Sequence, residues 1–140
     1  MSFYTCLVVM AGGALGTLGR YAVSVAAAPI SRDLPWGTII INVTGSFLIG
    51  LFGTLTLATG RFPASENLRL FVMIGICGGY TTFSSFSLQT LELMRNGAAL
   101  RAGINIAASV ALCVAAVAFG HVIATYLNGP AAPPAIDDKA

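Results

Sequence analysis

Apolar residues run along this chain in four long stretches, at roughly residues 3–28, 37–60, 68–94 and 102–127. Charged residues fall almost entirely between them or at their edges. A bilayer core of ~30 Å needs about 20 mostly apolar residues per helix. Each stretch is long enough, so the pattern predicts four spanning helices in one all-α domain over residues 1–127. The first stretch has no basic n-region and is too long for a signal-peptide core, so it is read as a spanning helix. The remaining NGPAAPPAIDDKA, residues 128–140, is rich in Pro and Ala and is expected to be disordered.

The third stretch departs from simple oil. At its centre stands GGYTTFSSFS, residues 78–87. The flanks 68–77 and 84–94 are each ~15 Å of helix. Two readings fit: a helix broken near mid-membrane, or a continuous helix with a closely packed Gly-Gly pair. A break there would free backbone groups, which lipid tolerates only when they are buried in protein or line a watery cavity. Phe83 and Phe86, at i and i+3, share a helix face. Such pairs usually pack, but a ring edge carries partial positive charge and suits an anion.

Other polar positions stand out against the apolar background. Asn42, with Thr44 and Ser46 beside it, needs hydrogen-bond partners in hydrocarbon. It is either a helix–helix tie or a donor facing a pore. Asn105, Ser109 and Cys113 follow at i, i+4 and i+8, a polar stripe ~12 Å tall on the fourth helix. Arg20 lies ~25 Å along the first helix from Phe3, near an interface. It either snorkels or pairs there, or draws anions to a vestibule. Gly12 and Gly16 form a G-x-x-x-G that favours close helix packing. Trp36 suits an interface anchor, and Ser65 or Asn67 a helix cap. His121 has no second metal ligand near it in sequence.

Composition narrows the class. Only 9% of residues are charged and 56% are hydrophobic, against about 25% charged in soluble domains. A net charge of +2 is too small to suggest a nucleic-acid partner. Cys6, Cys77 and Cys113 have no C-x-x-C spacing and read as small apolar side chains. No nucleophile–base pair marks an enzyme. Arg20, Arg32, Arg95 and Arg101 would share one side of the membrane, and Arg61, Arg69 and Lys139 the other. So small a bias permits insertion both ways, and hence an antiparallel homodimer.

Three stretches together carry a resemblance: AGGALGTLGRY at 11–21, GTIIINVTGSFLIG at 37–50 and GICGGYTTFSSFS at 75–87. In order and spacing the chain resembles the Fluc (CrcB) fluoride channels over residues 3–127. The resemblance implies a dual-topology homodimer in the bacterial plasma (inner) membrane, surrounded by lipid, with two antiparallel pores that release cytoplasmic fluoride passively. It implies that Asn42 faces the ion path and that Phe83 and Phe86 turn ring edges to fluoride. Ser85 would add a hydroxyl, and Asn105, Ser109 and Cys113 would match the polar track. Backbone carbonyls of Gly78 and Thr81, a pair from each subunit, would hold a structural sodium ion. Arg20 would match the arginine that closes the first helix.

The chain departs from the family pattern at three positions. Ser85 stands where members often have Thr, Gln89 where many have Glu, and Cys113 where Ser or Thr is usual. Two other functions compete. A small multidrug-type exporter also has four helices, but needs a mid-membrane carboxylate to couple protons. The only acid within a spanning stretch is Glu92, near the end of the third. A structural membrane protein without transport would use Asn42 and the hydroxyls merely to join helices.

Overall fold

The computed structural model describes residues 2–129, and the tail from 130 onward lies outside the described residues. Helix α1 spans Phe3–Ala27 and runs into a 3-10 turn at Ala28–Ile30. Helix α2 is Trp36–Leu55. Helix α3 covers residues 66–80, and its Leu70–Cys77 portion has π-helical winding. Helix α4 is Phe83–Arg95 and α5 is Ala99–Asn128. Four stretches, Phe3–Ile30, Trp36–Leu55, Glu66–Arg95 and Ala99–Asn128, are long and apolar enough to cross a membrane.

Local chemistry sets the ends. Ser2 caps α1, its Oγ accepting the Thr5 N–H at 3.1 Å. Ser31 Oγ donates to Ala27 O at 2.8 Å and accepts the Gly37 N–H at 3.0 Å, so one side chain links the end of α1 to the start of α2. The apolar run from 37 suggests a helix to residue 60, but α2 stops at Leu55. Arg69 explains the early stop: its guanidinium donates to Gly53 O at 3.0 Å and Thr56 Oγ1 at 2.6 Å. A cation at a helix C-terminus satisfies carbonyls that continued winding would otherwise use. Ser65 caps α3 through the Leu68 N–H at 3.3 Å. Gly97, at φ 74°, lets the chain reverse after α4, and the Ala98 N–H donates back to Leu93 O at 2.9 Å.

The interior is thin. The largest fully buried side chains are Ile41 and Asn105, while large apolar side chains such as Leu18, Leu100, Val114 and Phe119 point outward. That is the surface of a protein dissolved in lipid, where helices associate by close packing rather than by hiding oil from water. Glycines carry the two main crossings. Gly12 and Gly16 of α1 lie against Phe71, Gly75 and Ile76 of α3, and a Cβ on Gly75 would sit 2.8 Å from Gly12 Cα. Gly50 of α2 meets the Val117 backbone of α5, and a Cβ on Gly120 would sit 2.7 Å from Leu51 N. Asn128 ties the far ends together, donating to Thr54 O at 3.1 Å and accepting the Arg61 N–H at 3.1 Å.

Between α3 and α4 two residues leave the helix. Thr81 (φ −76°, ψ 158°) and Thr82 (φ −153°, ψ 111°) are extended. The glycines just before them are helical, Gly78 at φ −66° and ψ −37°. At Gly79 the missing side chain serves packing instead: a Cβ there would lie 2.6 Å from Gly13 O of α1.

Candidate functional site

The site is built around the extended threonines. Thr82 caps α4, its Oγ1 accepting the Ser85 N–H at 3.2 Å and donating to Ser85 Oγ at 3.0 Å. Its backbone faces Asn42 in the middle of α2. The Asn42 Oδ1 accepts the Thr82 N–H at 2.8 Å, and Nδ2 donates to Thr82 O at 3.0 Å. One amide thus satisfies both backbone polar groups of buried Thr82, which would otherwise cost about 1–3 kcal/mol each. The second Nδ2 hydrogen remains for the cavity that Asn42 lines. The helix-tie and pore-donor readings of Asn42 are therefore compatible.

The clamp has an electrostatic consequence. In a continuous helix the Thr82 N–H would go to Gly78 O; here Asn42 takes it. Among the described residues Thr81 O meets only a long contact, the Arg20 guanidinium at 3.5 Å. The end of α3 therefore presents carbonyl oxygens where the helix dipole is negative. Arg20 lies at this end and brings its positive charge to it.

A cavity of about 430 Å³ opens beside the clamp, between α2, α3, α4 and α5. It gathers Asn42, Gly78, Thr81, Phe83, Phe86, Ser109 and Cys113 on one wall system, although they come from four helices and the connection between two of them. None of its lining residues carries a formal charge. The Phe83 and Phe86 ring centroids are 5.3 Å apart and tilted by 47°. Phe86 is packed, at 9% exposure, whereas Phe83 is 77% exposed on the single chain.

Three sequence-selected residues lie off the cavity. Ser85 is turned to Thr82, as above. Arg20 reaches Thr81 O. Asn105 is fully buried one turn from Ser109. Its Nδ2 donates to Thr90 Oγ1 at 2.8 Å, and its Oδ1 accepts from Ser109 Oγ at 3.5 Å. Asn105 touches the cavity only through Ser109. Thr82, which lines the cavity, and Thr90, which lies behind it, are residues of the candidate site that sequence reading passes over. Thr82 had a signal, a threonine just ahead of a helical run; Thr90 had only its i+4 spacing from Phe86. A second cavity, of about 470 Å³, lies near Arg32, Asp33 and Glu92 and includes Gln89, whose buried Oε1 has no partner among the described residues. No group of three or more His, Cys, Asp or Glu that could hold a metal occurs among the described residues.

This geometry lies inside a stretch with known relatives. The model of the family described as CrcB-like protein, Camphor Resistance (CrcB), matches residues 7–121. The chain belongs to the CrcB-like family. Similar members include a protein of Methylobacterium radiotolerans, 77% identical over 131 residues, covering 94% of this chain and 92% of the relative. One from Gluconobacter oxydans is 72% identical over 129 residues, covering 91% and 90%. One from Opitutus terrae is 51% identical over 129 residues, covering 91% and 96%. All three bear the name fluoride-specific ion channel FluC. With four apolar helices of spanning length, this CrcB-like protein is a multi-pass integral membrane protein. Every residue of the clamp and its cavity falls within the family match.

Proposed function

We propose that this CrcB-like protein is a passive, fluoride-selective channel that releases cytoplasmic fluoride across the bacterial inner membrane. The observation that carries the reading is the uncharged, donor-bearing cavity beside the Asn42–Thr82 clamp, in a chain 77% identical to a protein named as a fluoride-specific ion channel. Fluoride is small and strongly hydrated, so a pathway must replace its water with donors. The Asn42 amide, the Ser109 hydroxyl and the edges of Phe83 and Phe86 supply partial positive charge without a formal cation. A lysine or arginine in the path would hold the ion; neutral donors let it leave. A proton-coupled exporter needs a carboxylate in its site, and the cavity lining has none.

The functional unit in this reading is an antiparallel, dual-topology homodimer with two pores. Phe83 is uncovered on the single chain and supports a second copy closing the pathway. The gap at Thr81–Thr82 lies near the middle of the 66–95 stretch and would sit at mid-membrane as a helix break. The chemistry of the exposed carbonyls fits a central sodium: Gly78 O and Thr81 O are hard, neutral ligands at a negative helix end. Two carbonyls are too few for one ion, so a pair from each subunit would hold it. Sodium, when bound, supplies fixed positive charge in a dry setting.

Purified protein in liposomes, followed with a fluoride electrode, tests the channel. Rapid fluoride efflux without chloride efflux is expected; no efflux from a folded dimer overturns the proposal. Replacing all sodium by a bulky organic cation is expected to lower the flux and the thermal stability of the dimer. Equal behaviour in both media removes the sodium from the reading.

A further inference from the structure

Behind the cavity wall, the hydrogen bonds have a fixed direction. Thr90 Oγ1 lies 2.7 Å from Phe86 O and must donate to it, because a carbonyl only accepts. The hydroxyl has one proton, so toward Asn105 it can only accept. The Asn105 atom that meets it at 2.8 Å is therefore Nδ2. That choice turns the amide, leaving Oδ1 toward Ser109, whose hydroxyl donates to it at 3.5 Å. Phe86, Thr90 and Asn105 are buried, so water does not compete along the relay before it reaches Ser109. Ser109 also lines the cavity. With its proton on Asn105 it shows the cavity lone pairs, the wrong sign for an anion.

We infer that Thr90 is a positioning residue which, through the Asn105 amide, makes Ser109 a restrained and reversible donor to the transported anion. The Ser109 proton rests on Asn105 Oδ1 when the pathway is empty and turns to the anion when it is occupied. One hydrogen bond breaks as one forms, and no proton leaves the serine. The bond given up is long and hence weak, so turning is easy. Because it is still given up, the anion is held less tightly than by an unclaimed hydroxyl, which favours release. This rests on the fluoride-channel reading and adds which residue tunes the affinity of one site in it.

The test is fluoride flux against fluoride concentration in proteoliposomes. In Thr90→Val, the Asn105 Nδ2 loses its acceptor. A buried N–H without a partner is tolerated less well than a carbonyl short of one, so the amide turns: Nδ2 donates to Ser109 Oγ, and Oδ1 is the group left unpaired beside the new valine. The serine proton is then free for the anion, and the half-saturating fluoride concentration is expected to fall about threefold, the scale of one weak neutral hydrogen bond. Thr90→Ser restores the hydroxyl and the original half-saturation. In a Ser109→Ala background, Thr90→Val leaves half-saturation unmoved, because the shift needs the serine. A packing role alone would lower maximal flux or thermal stability at constant half-saturation, and that result overturns the inference. If Thr90→Val fails to assemble, Thr90→Cys keeps the size and weakens the bond; it must shift half-saturation the same way, and no shift overturns the inference. Absence of flux from the unaltered protein removes the channel reading and this inference with it. Flux from the unaltered protein with unchanged half-saturation in Thr90→Val removes this inference alone.

Discussion

Asn42 does two jobs whose costs separate on mutation. Asn42→Ala leaves the N–H and C=O of buried Thr82 unpaired, a loss of about 1–3 kcal/mol for each group that water cannot reach. Asn42→Asp keeps the acceptor for the N–H but sets a carboxylate against the Thr82 carbonyl and beside the cavity. Both substitutions are expected to lower thermal stability, and Asn42→Asp to cut fluoride flux by more than tenfold. Flux near the original level in Asn42→Asp would remove Asn42 from the pathway. The phenylalanines separate in the opposite sense. Phe83 is 77% exposed on the single chain, so Phe83→Ile should reduce flux with assembly intact; Phe86 is packed, so Phe86→Ile should reduce flux and cost about 1–2 kcal/mol of stability. If flux survives in both, ring edges do not serve the ion. Asn42, Phe83, Phe86 and Ser109 stood out as candidates because polar or paired aromatic residues are conspicuous in oil, and their proposed roles came from the family resemblance. Thr90 did not stand out. Hydroxyls in apolar helices commonly return to their own helix, as Thr56 does to Phe52 O and Ser87 to Phe83 O. Nothing in the sequence tells which of them also reaches a neighbour.

At the scale of the helices, hydropathy located four spans but left two features inside them unresolved. The end of α2 was hidden because it depends on Arg69, which is distant in sequence. GGYTTF left a break and a packed glycine as alternatives, and it holds both: Thr81 and Thr82 are extended, while Gly79 packs against α1. A glycine reports either backbone freedom or close approach, and only the neighbouring helix decides which. Here α1 decides it, through Gly13 against Gly79 and Gly12 against Gly75. The crossing gives a direct prediction. Gly75→Ala would place a Cβ 2.8 Å from Gly12 Cα and 3.0 Å from Val9 O, against backbone that has little freedom to retreat. It should destabilise by about 1–3 kcal/mol, as overpacking does. Gly103→Ala on α5 meets open space and should be neutral or slightly stabilising, since alanine favours a helix more than glycine does. Thermal aggregation in detergent, read by size-exclusion chromatography, ranks the two. Equal melting of the pair would mean that the α1–α3 crossing is not held by close backbone contact.

For the whole molecule, orientation is the property least fixed by the chain's own contacts. Asp33 and Arg101 pair at 2.9 Å, which joins the α1–α2 connection to the first turn of α5, but both side chains are exposed and such pairs contribute little. By sequence, Arg20, Arg32, Arg95 and Arg101 fall to the end that holds this pair and Arg61, Arg69 and Lys139 to the other, so the difference in positive charge between the ends is small. Arg69 is also engaged by Gly53 O and Thr56 Oγ1. The proposed antiparallel dimer needs this near-balance, because it requires both orientations from one gene product. Charge added at one end should therefore abolish function without touching the cavity. Ala58→Lys, Thr59→Lys, Pro63→Lys and Ala64→Lys together reverse the small bias and should drive every subunit one way, and Asn96→Lys with Ala99→Lys should drive every subunit the other way. Each set alone is expected to give folded protein with fluoride flux near background. Expressed together they should restore flux, since each supplies the orientation the other lacks. Accessibility of a terminal tag from the two sides of the membrane checks the orientations independently. Full flux from either singly biased variant, with all its tags on one side, would show that the conducting unit does not require opposed subunits.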